Sequence, residues 1–273
     1  MAHNTKIPYA RKGLPYPIGC THADRSCENC WAEGLCATRL KHVPQYAGLT
    51  KKGKWTGEVR CDGKLLNVPY TWRKPQLVFV STMGDPFHEN VTSAQLGDMV
   101  WMMYRTPRHI YAVFTKRPHL LLPRLTERGY NPLPNVVIVA SAHDQQTTDR
   151  ACDYLSELAE HGWRVGLSLE PLLGPVDLKW RLDTPERWCE WVAVGCESGP
   201  NRRLCETQWV ADILQQCQEA EVRCWVKQLQ PGAAKPGKVP RVSHNPLEWP
   251  EALRVQQPVR GWTYRDGKLT PEE

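Results

Sequence analysis

At 273 residues, 41% hydrophobic and 23% charged, the chain can bury one large core and is too apolar for wholesale disorder. A net charge of +6 is compatible with a polyanionic partner without requiring one. No apolar run approaches the roughly 18 residues that cross a bilayer, and the opening MAHNTKIPYARK has no apolar signal core. A reducing cytoplasmic setting, with no membrane partner, is therefore expected.

The first feature in chain order is YPIGCTHADRSCENCWAEGLC, residues 16–36, which carries Cys20, Cys27, Cys30 and Cys36. Eleven cysteines, an odd number scattered along the chain, do not read as a secreted disulfide framework. Metal ligation becomes the leading explanation for a tight group. Cys27 and Cys30 form a CxxC pair that can reach one centre from a single turn, and Cys20 lies just upstream. Tetrahedral zinc would need a fourth ligand from Cys36, His22 or Cys61. Three thiolates on a four-iron cluster would instead leave one iron open to a substrate or cofactor. The residue types alone leave both arrangements open.

Segment 41–75 follows. It holds Lys41, Lys51, Lys52, Lys54, Arg60, Lys64, Arg73 and Lys74 against Glu58 and Asp62, interleaved with Tyr46, Trp55, Tyr70 and Trp72. Cations among aromatics suit phosphate contact with base stacking. A solvated insertion loop accounts for the same composition.

From residue 76 short apolar runs alternate with helical patterns. Strands are expected over 76–82, 109–116, 135–142, 164–170, 190–197 and 222–229, because near-continuous apolar runs mark strands buried on both faces of a parallel sheet. Helices are expected over 93–105, with Ser93 as a cap, and over 118–128, 147–161 and 207–220. Gly129 and Gly162 serve as stops. The βαβα order predicts an α/β fold, a partial or complete parallel (β/α) barrel, over residues 1–231. Such folds place chemistry at strand C-terminal ends. Those ends here are Asp85-Pro86-Phe87-His88, Thr115-Lys116-Arg117, Ser141-Ala142-His143-Asp144, Glu170-Pro171, Glu197-Ser198-Gly199 and Lys227-Gln228. Residues 232–273, rich in Pro and Gly at their start, read as an extended tail.

Six stretches in order, GCTHADRSCENCWAE (19–33), FVSTMGDPFHENV (79–91), FTKRPHLL (114–121), SLEPLLGPVDL (168–178), VAVGCESGPNRR (192–203) and VKQLQP (226–231), resemble a radical S-adenosylmethionine (SAM) family found largely in bacteriophages. The DPF and FTKRP segments are similar to the spore photoproduct lyase branch of those enzymes. The resemblance implies a barrel of the radical SAM type, with Cys20, Cys27 and Cys30 holding a [4Fe–4S] cluster. The six-residue gap after Cys20 is longer than the usual three, and Cys196 stands where glycine is expected. The resemblance further implies that Asp85 accepts from the SAM amino group. Lys116, Arg150 or both would meet its carboxylate, and Ser141 and Glu170 would lie near its ribose. Glu197, Ser198 and Lys227 would face substrate.

The implied substrate is a nucleobase in DNA, with Lys51, Lys52 and Lys54 meeting phosphates and an electron donor as a further partner. The specific expectation is isomerisation of N-linked glycyl-thymidine to the Cα-linked form in DNA hypermodification, in the host cytoplasm for a protein of phage origin. The rival expectations are a tRNA base, a peptide or a thymine photoproduct as substrate. From another class comes a zinc-containing nucleic-acid-binding protein using Cys20, Cys27, Cys30 and Cys36. The residues identify neither a catalytic group nor an oligomeric state.

Overall fold

The computed structural model describes residues 5–126, 129–184, 187–232 and 238–272. The chain forms two compact units, Met1–Ile138 and Val139–Glu273. In the first unit the elements are β1 (Lys12–Leu14), α1 (Trp31–Ala37), a hairpin of β2 (Thr50–Lys51) and β3 (Lys54–Trp55), α2 (Gly63–Leu66), β4 (Leu77–Val80), α3 (Ser93–Arg105), β5 (Ile110–Thr115), α4 (Leu121–Thr126) and the start of β6 (Val136–Ala142). The second unit completes β6 and adds α5 (Gln145–Glu160), β7 (Arg164–Leu169), α6 (Lys179–Leu182), β8 (Cys189–Gly195), α7 (Thr207–Glu219), β9 (Arg223–Gln228) and a hairpin of β10 (Trp262–Arg265) and β11 (Lys268–Pro271).

All six expected strands are present, in a seven-stranded sheet of order β1-β4-β5-β6-β7-β8-β9. The pairings of β1 with β4, β4 with β5, β7 with β8 and β8 with β9 are parallel. This is the α/β class expected, with the strand order of a partial parallel barrel. The seventh strand, β1, is too short to carry a periodic signal. The central strands are buried along nearly their whole length, as in Val136–Ala142 and Cys189–Gly195, which is why they read as continuous apolar runs.

Helix starts follow side-chain chemistry. Thr92, not Ser93, caps α3: its hydroxyl accepts from the Gln95 amide while the Gln95 side chain accepts from the Thr92 amide. Asp144 and Thr147 make the equivalent box at α5. Gly129 (φ 62°) and Gly162 (φ 86°) both occupy the left-handed region expected of helix stops. The expected helix 118–128 is a 3-10 turn, Pro118–Leu120, followed by α4; positions 127–128 lie outside the described residues.

Segment 41–75 contains the β2–β3 hairpin, α2 and a 3-10 turn, with most of its positions exposed. Lys52 and Gly53, with φ of 50° and 80°, make the two-residue turn of the β2–β3 hairpin. Tyr46 is buried, and Trp72 packs edge-on against His109 with ring centroids 5.4 Å apart. The C-terminal stretch, of which 233–237 and 273 lie outside the described residues, packs onto β9. Val226 N donates to Val255 O, Gln257 N to Cys224 O, and Trp249, Leu253 and Trp262 are buried. Among the described residues, no helix is long and apolar enough to cross a membrane.

Candidate functional site

In the Met1–Ile138 unit the cysteine loop is built from consecutive turns. The Asp24 carboxylate accepts from Ser26 N and caps the 3-10 turn Arg25–Cys27. Cys30 N then donates to Cys27 O, and Cys30 is the N-cap residue of α1. Cys20 enters the loop from Gly19, whose N–H donates to Met83 O beside β4. Two glycines permit this approach. A Cβ at Gly19 (φ 92°) would stand 2.1 Å from Glu58 O, and one at Gly84 would stand 2.5 Å from Pro17 O and 2.9 Å from Gly19 O. Those neighbours are backbone and cannot swing aside. Gly84→Ala should therefore lower stability by about 1–3 kcal/mol, read from a urea titration; an unchanged midpoint would mean that the two segments do not touch.

Burial pushes the Cys20 thiol up to about 12, and Asp85, Cys27 and Cys30 push the same way while Arg117 opposes them. The Cys30 thiol is also raised, by burial first and then, among others, by Cys27. The other candidate ligands point elsewhere. Cys36, 0% exposed, donates toward Tyr46 O. His22 Nε2 lies 3.0 Å from Glu33 Oε1, and Cys61 bonds with the Tyr16 hydroxyl.

Among the described residues, no three His, Cys, Asp or Glu groups are drawn together tightly enough for a single metal ion. A four-iron cluster sets its thiolates farther apart, because each binds a different iron. A set of three soft donors, mutually repulsive as thiolates, fits that group. Ser81, directly after β4, has a left-handed φ of 74° and a buried hydroxyl with no hydrogen-bond partner, the kind of orphaned group a ligand satisfies.

Asp85, 4% exposed, is already fully used. Its Oδ1 accepts from Phe87 N (2.9 Å) and Thr115 Oγ1 (2.8 Å); its Oδ2 accepts from Lys116 N (3.0 Å) and Arg117 Nη1 (3.2 Å). A carboxylate offers about four lone-pair sites. Asp85 thereby joins the loop after β4 to the end of β5. Lys116 Nζ donates to Ser26 Oγ (2.7 Å), which brings its cation to the turn that contains Cys27.

Arg117, which the sequence marks only as a strand-end residue, is 3% exposed and is the hub of this unit. It donates to Asp85, to both Glu89 oxygens (3.0 and 2.9 Å), to Thr21 Oγ1 (2.7 Å) and to Cys20 Sγ (3.8 Å). Burial works against the cation, but Asp85, Cys20 and Glu89 hold its pKa above its ordinary value. His88 Nδ1 accepts from Asn90 N, so its Nε2 carries the proton and donates to Thr21 Oγ1 (2.9 Å). Burial first, then Arg117, lowers the His88 pKa, which favours a neutral ring.

Lys51, Lys52 and Lys54 are all exposed, and Lys54 Nζ, on a side chain 61% exposed, also pairs with Glu33 Oε2 at 3.1 Å. The buried Glu33 also accepts from Trp55 N (2.8 Å), so Lys54 belongs to a bracket that ties the hairpin to α1. A charge run shows no such tie, because Glu33 lies outside segment 41–75.

In the Val139–Glu273 unit, Ser141 is half-buried near the end of β6 and Glu170 follows β7 directly. Glu170 Oε1 pairs with Lys227 Nζ at 3.1 Å, and Ser168 Oγ donates to Oε2 at 3.2 Å. Gly195 makes room for this pair, since a Cβ there would lie 3.3 Å from Glu170 Oε1. Glu197 is paired with Arg203, accepting its N (2.8 Å), Nε (3.0 Å) and Nη2 (2.6 Å). Ser198 is half-buried, and Arg150 is exposed on the second turn of α5. Cys196 has no left-handed φ, which explains why glycine is not required there; its thiol is pushed well up by burial and by Cys205. Gln228 and Gln230, two apart on one face of VKQLQ, are buried and donate to Cys196 O and Arg203 O.

A family model described as "Protein of unknown function (DUF5131)" matches residues 4–254. No curated protein matches the chain. The solved structure of spore photoproduct lyase complexed with dinucleoside spore photoproduct is similar, at 13% identity over 93% of this chain and 75% of that one, with a TM-score of 0.51. A mutant of that lyase with dinucleoside spore photoproduct is 12% identical over the same shares, also with a TM-score of 0.51. At such identity the likeness concerns the fold, and it agrees with the parallel α/β topology.

Proposed function

The chain belongs to the DUF5131 family of proteins of unknown function, and we propose that it is a radical SAM enzyme acting on a nucleobase. Cys20, Cys27 and Cys30 hold the [4Fe–4S] cluster, and SAM is the second cofactor. The observation that carries this reading is the run of consecutive turns that presents Cys20, Cys27 and Cys30, from which Cys36, His22 and Cys61 are turned away. When bound, the cluster and SAM supply hydrogen-atom abstraction from an unactivated carbon, given one electron from an external donor.

The chain's own residues bind and orient. Lys116 meets the SAM carboxylate with the donors that Ser26 does not use, a charge-assisted contact. Arg150 is the alternative or additional cation for that role. Asp85 acts by holding Thr115, Lys116 and Arg117 in place. Ser141 and Glu170, at strand ends, serve the ribose. Ser198 and Lys227 serve substrate directly, and Glu197 serves it by orienting Arg203. The finer reading is isomerisation of N-linked glycyl-thymidine to the Cα-linked form within DNA. Its support is the order of the six motif stretches, together with exposed Lys51 and Lys52 on the hairpin.

Anaerobic purification tests the reading. Brown, iron-loaded protein that cleaves SAM under dithionite is expected, and incubation with DNA from its native host should yield a nucleoside of altered structure and unchanged mass. Colourless protein carrying stoichiometric zinc would overturn it. Replacing Lys51 and Lys52 together by glutamine should flatten the salt dependence of duplex binding, the log–log slope shrinking by about 0.9 per lost phosphate contact. Lys54 is left intact, because its loss would also open the Glu33 bracket. Equal slopes for the two proteins would remove DNA phosphate from the hairpin's role.

A further inference from the structure

We propose that Arg117 is a positioning residue that sets the reduction potential of the iron–sulfur cluster through its contact with Cys20. The inference rests on the radical SAM reading above. It starts from an arrangement that the binding of cofactors leaves unexplained. A buried, permanently charged guanidinium directs one N–H at the sulfur of a ligand cysteine, 3.8 Å away. Its remaining donors are spent on acceptors that fix its orientation: Asp85 Oδ2, both Glu89 oxygens, and the carbonyl and hydroxyl of Thr21, the residue next to Cys20.

The physical consequence has a definite sign. Reduction adds one negative charge to the cluster. A neighbouring cation and an N–H donated to a ligating sulfur both stabilise the reduced form more than the oxidised one, so both raise the potential. The planar fork of arginine holds that N–H in a fixed direction, which the compact ammonium of lysine does not. Glu89 works in the opposite sense. Its side chain is 55% exposed, it pairs with Arg117 Nε, and its negative charge offsets part of the cation's effect on the sulfur. The pair is therefore a cation close to the cluster ligand and an adjustable anion behind it, Glu89 being the more readily replaced.

The test is a dye-equilibrated redox titration of reconstituted protein, following cluster absorbance, on wild type, Arg117→Gln, Arg117→Lys and Glu89→Gln. Arg117→Gln should lower the reduced-to-oxidised ratio at a fixed potential by about tenfold or more, equivalent to ~59 mV for one electron. Arg117→Lys should fall between it and wild type. Glu89→Gln should move the ratio the other way, toward the reduced form. A purely structural role for Arg117 predicts no such opposite-sign pair. If Arg117→Gln does not fold, Arg117→Lys and Glu89→Gln decide the matter by themselves. Iron-loaded variants with unmoved potentials, or potentials that all move in one direction, overturn the inference and leave the radical SAM reading standing. A wild-type protein that takes up no iron overturns both.

Discussion

Alanine in place of Cys20, Cys27 or Cys30 should abolish iron–sulfur loading and SAM cleavage together, while Cys36→Ala should retain both. Three thiolates are the minimum that hold a four-iron cluster with one iron left open, so any single loss removes the site rather than weakening it. Cys36 provides the control because it lies on the same short helix, α1, yet its sulfur is fully buried against Tyr46 O. Iron per chain, measured after anaerobic reconstitution and desalting, reads the result directly. Near-full iron in any of the three single variants, or loss of metal in Cys36→Ala, would return the four-thiolate arrangement to contention. The raised thiol pKa values of Cys20 and Cys30 add a sign. Burial holds both thiols above their ordinary value and both must lose protons to bind iron, so loading should be faster as pH rises.

Asp85→Ala should cost the Met1–Ile138 unit about 3–5 kcal/mol, the penalty for removing one partner of a buried ion pair. The Asp85 and Arg117 side chains are 6% and 4% exposed, so the abandoned guanidinium cannot turn to water for compensation. Phe87 N, Thr115 Oγ1 and Lys116 N lose their acceptor in the same stroke. Glu89 retains its contact with Arg117, but from a half-exposed position, which places the expected loss toward the lower end. Urea unfolding measures the loss as a shift in midpoint at similar m. The double variant Asp85→Ala with Arg117→Met should be less damaged than Asp85→Ala alone, since a buried pair replaced by apolar groups leaves no stranded charge. A single variant within about 1 kcal/mol of wild type would mean that water reaches Arg117 freely.

Much of this protein is written locally. The six long strands are legible because each is a run of Val, Ile, Leu, Ala and aromatics buried on both faces, as in Val136–Ala142. The helices at Ser93–Arg105, Gln145–Glu160 and Thr207–Glu219 are legible from their period, their ends to within about two residues. The cysteine loop was visible as residue type and spacing, and so were Lys116, Glu170 and Lys227 as strand-end polar groups. The three-residue strand Lys12–Leu14 was not, since it is too short to repeat a hydrophobic period and exists only through its pairing with Leu77–Val80.

What the sequence determined by itself is therefore the α/β order, the places where chemistry could stand, and the residue types offered there. Only the tertiary structure decided which of those groups remain available. Asp85 and Glu197 read as ligand-binding carboxylates, and their oxygens also accept from Thr115, Lys116 and Arg117 in one unit and from Arg203 in the other. Lys54 reads as a phosphate contact, and it also pairs with Glu33, which lies outside the charge run. Arg117 reads as an ordinary strand-end cation, yet it reaches the sulfur of Cys20 from 97 positions away in the chain. The physical reason is common to all four. Residue identity fixes how many hydrogen bonds and how much charge a side chain can offer, whereas long-range packing decides which partners use them first.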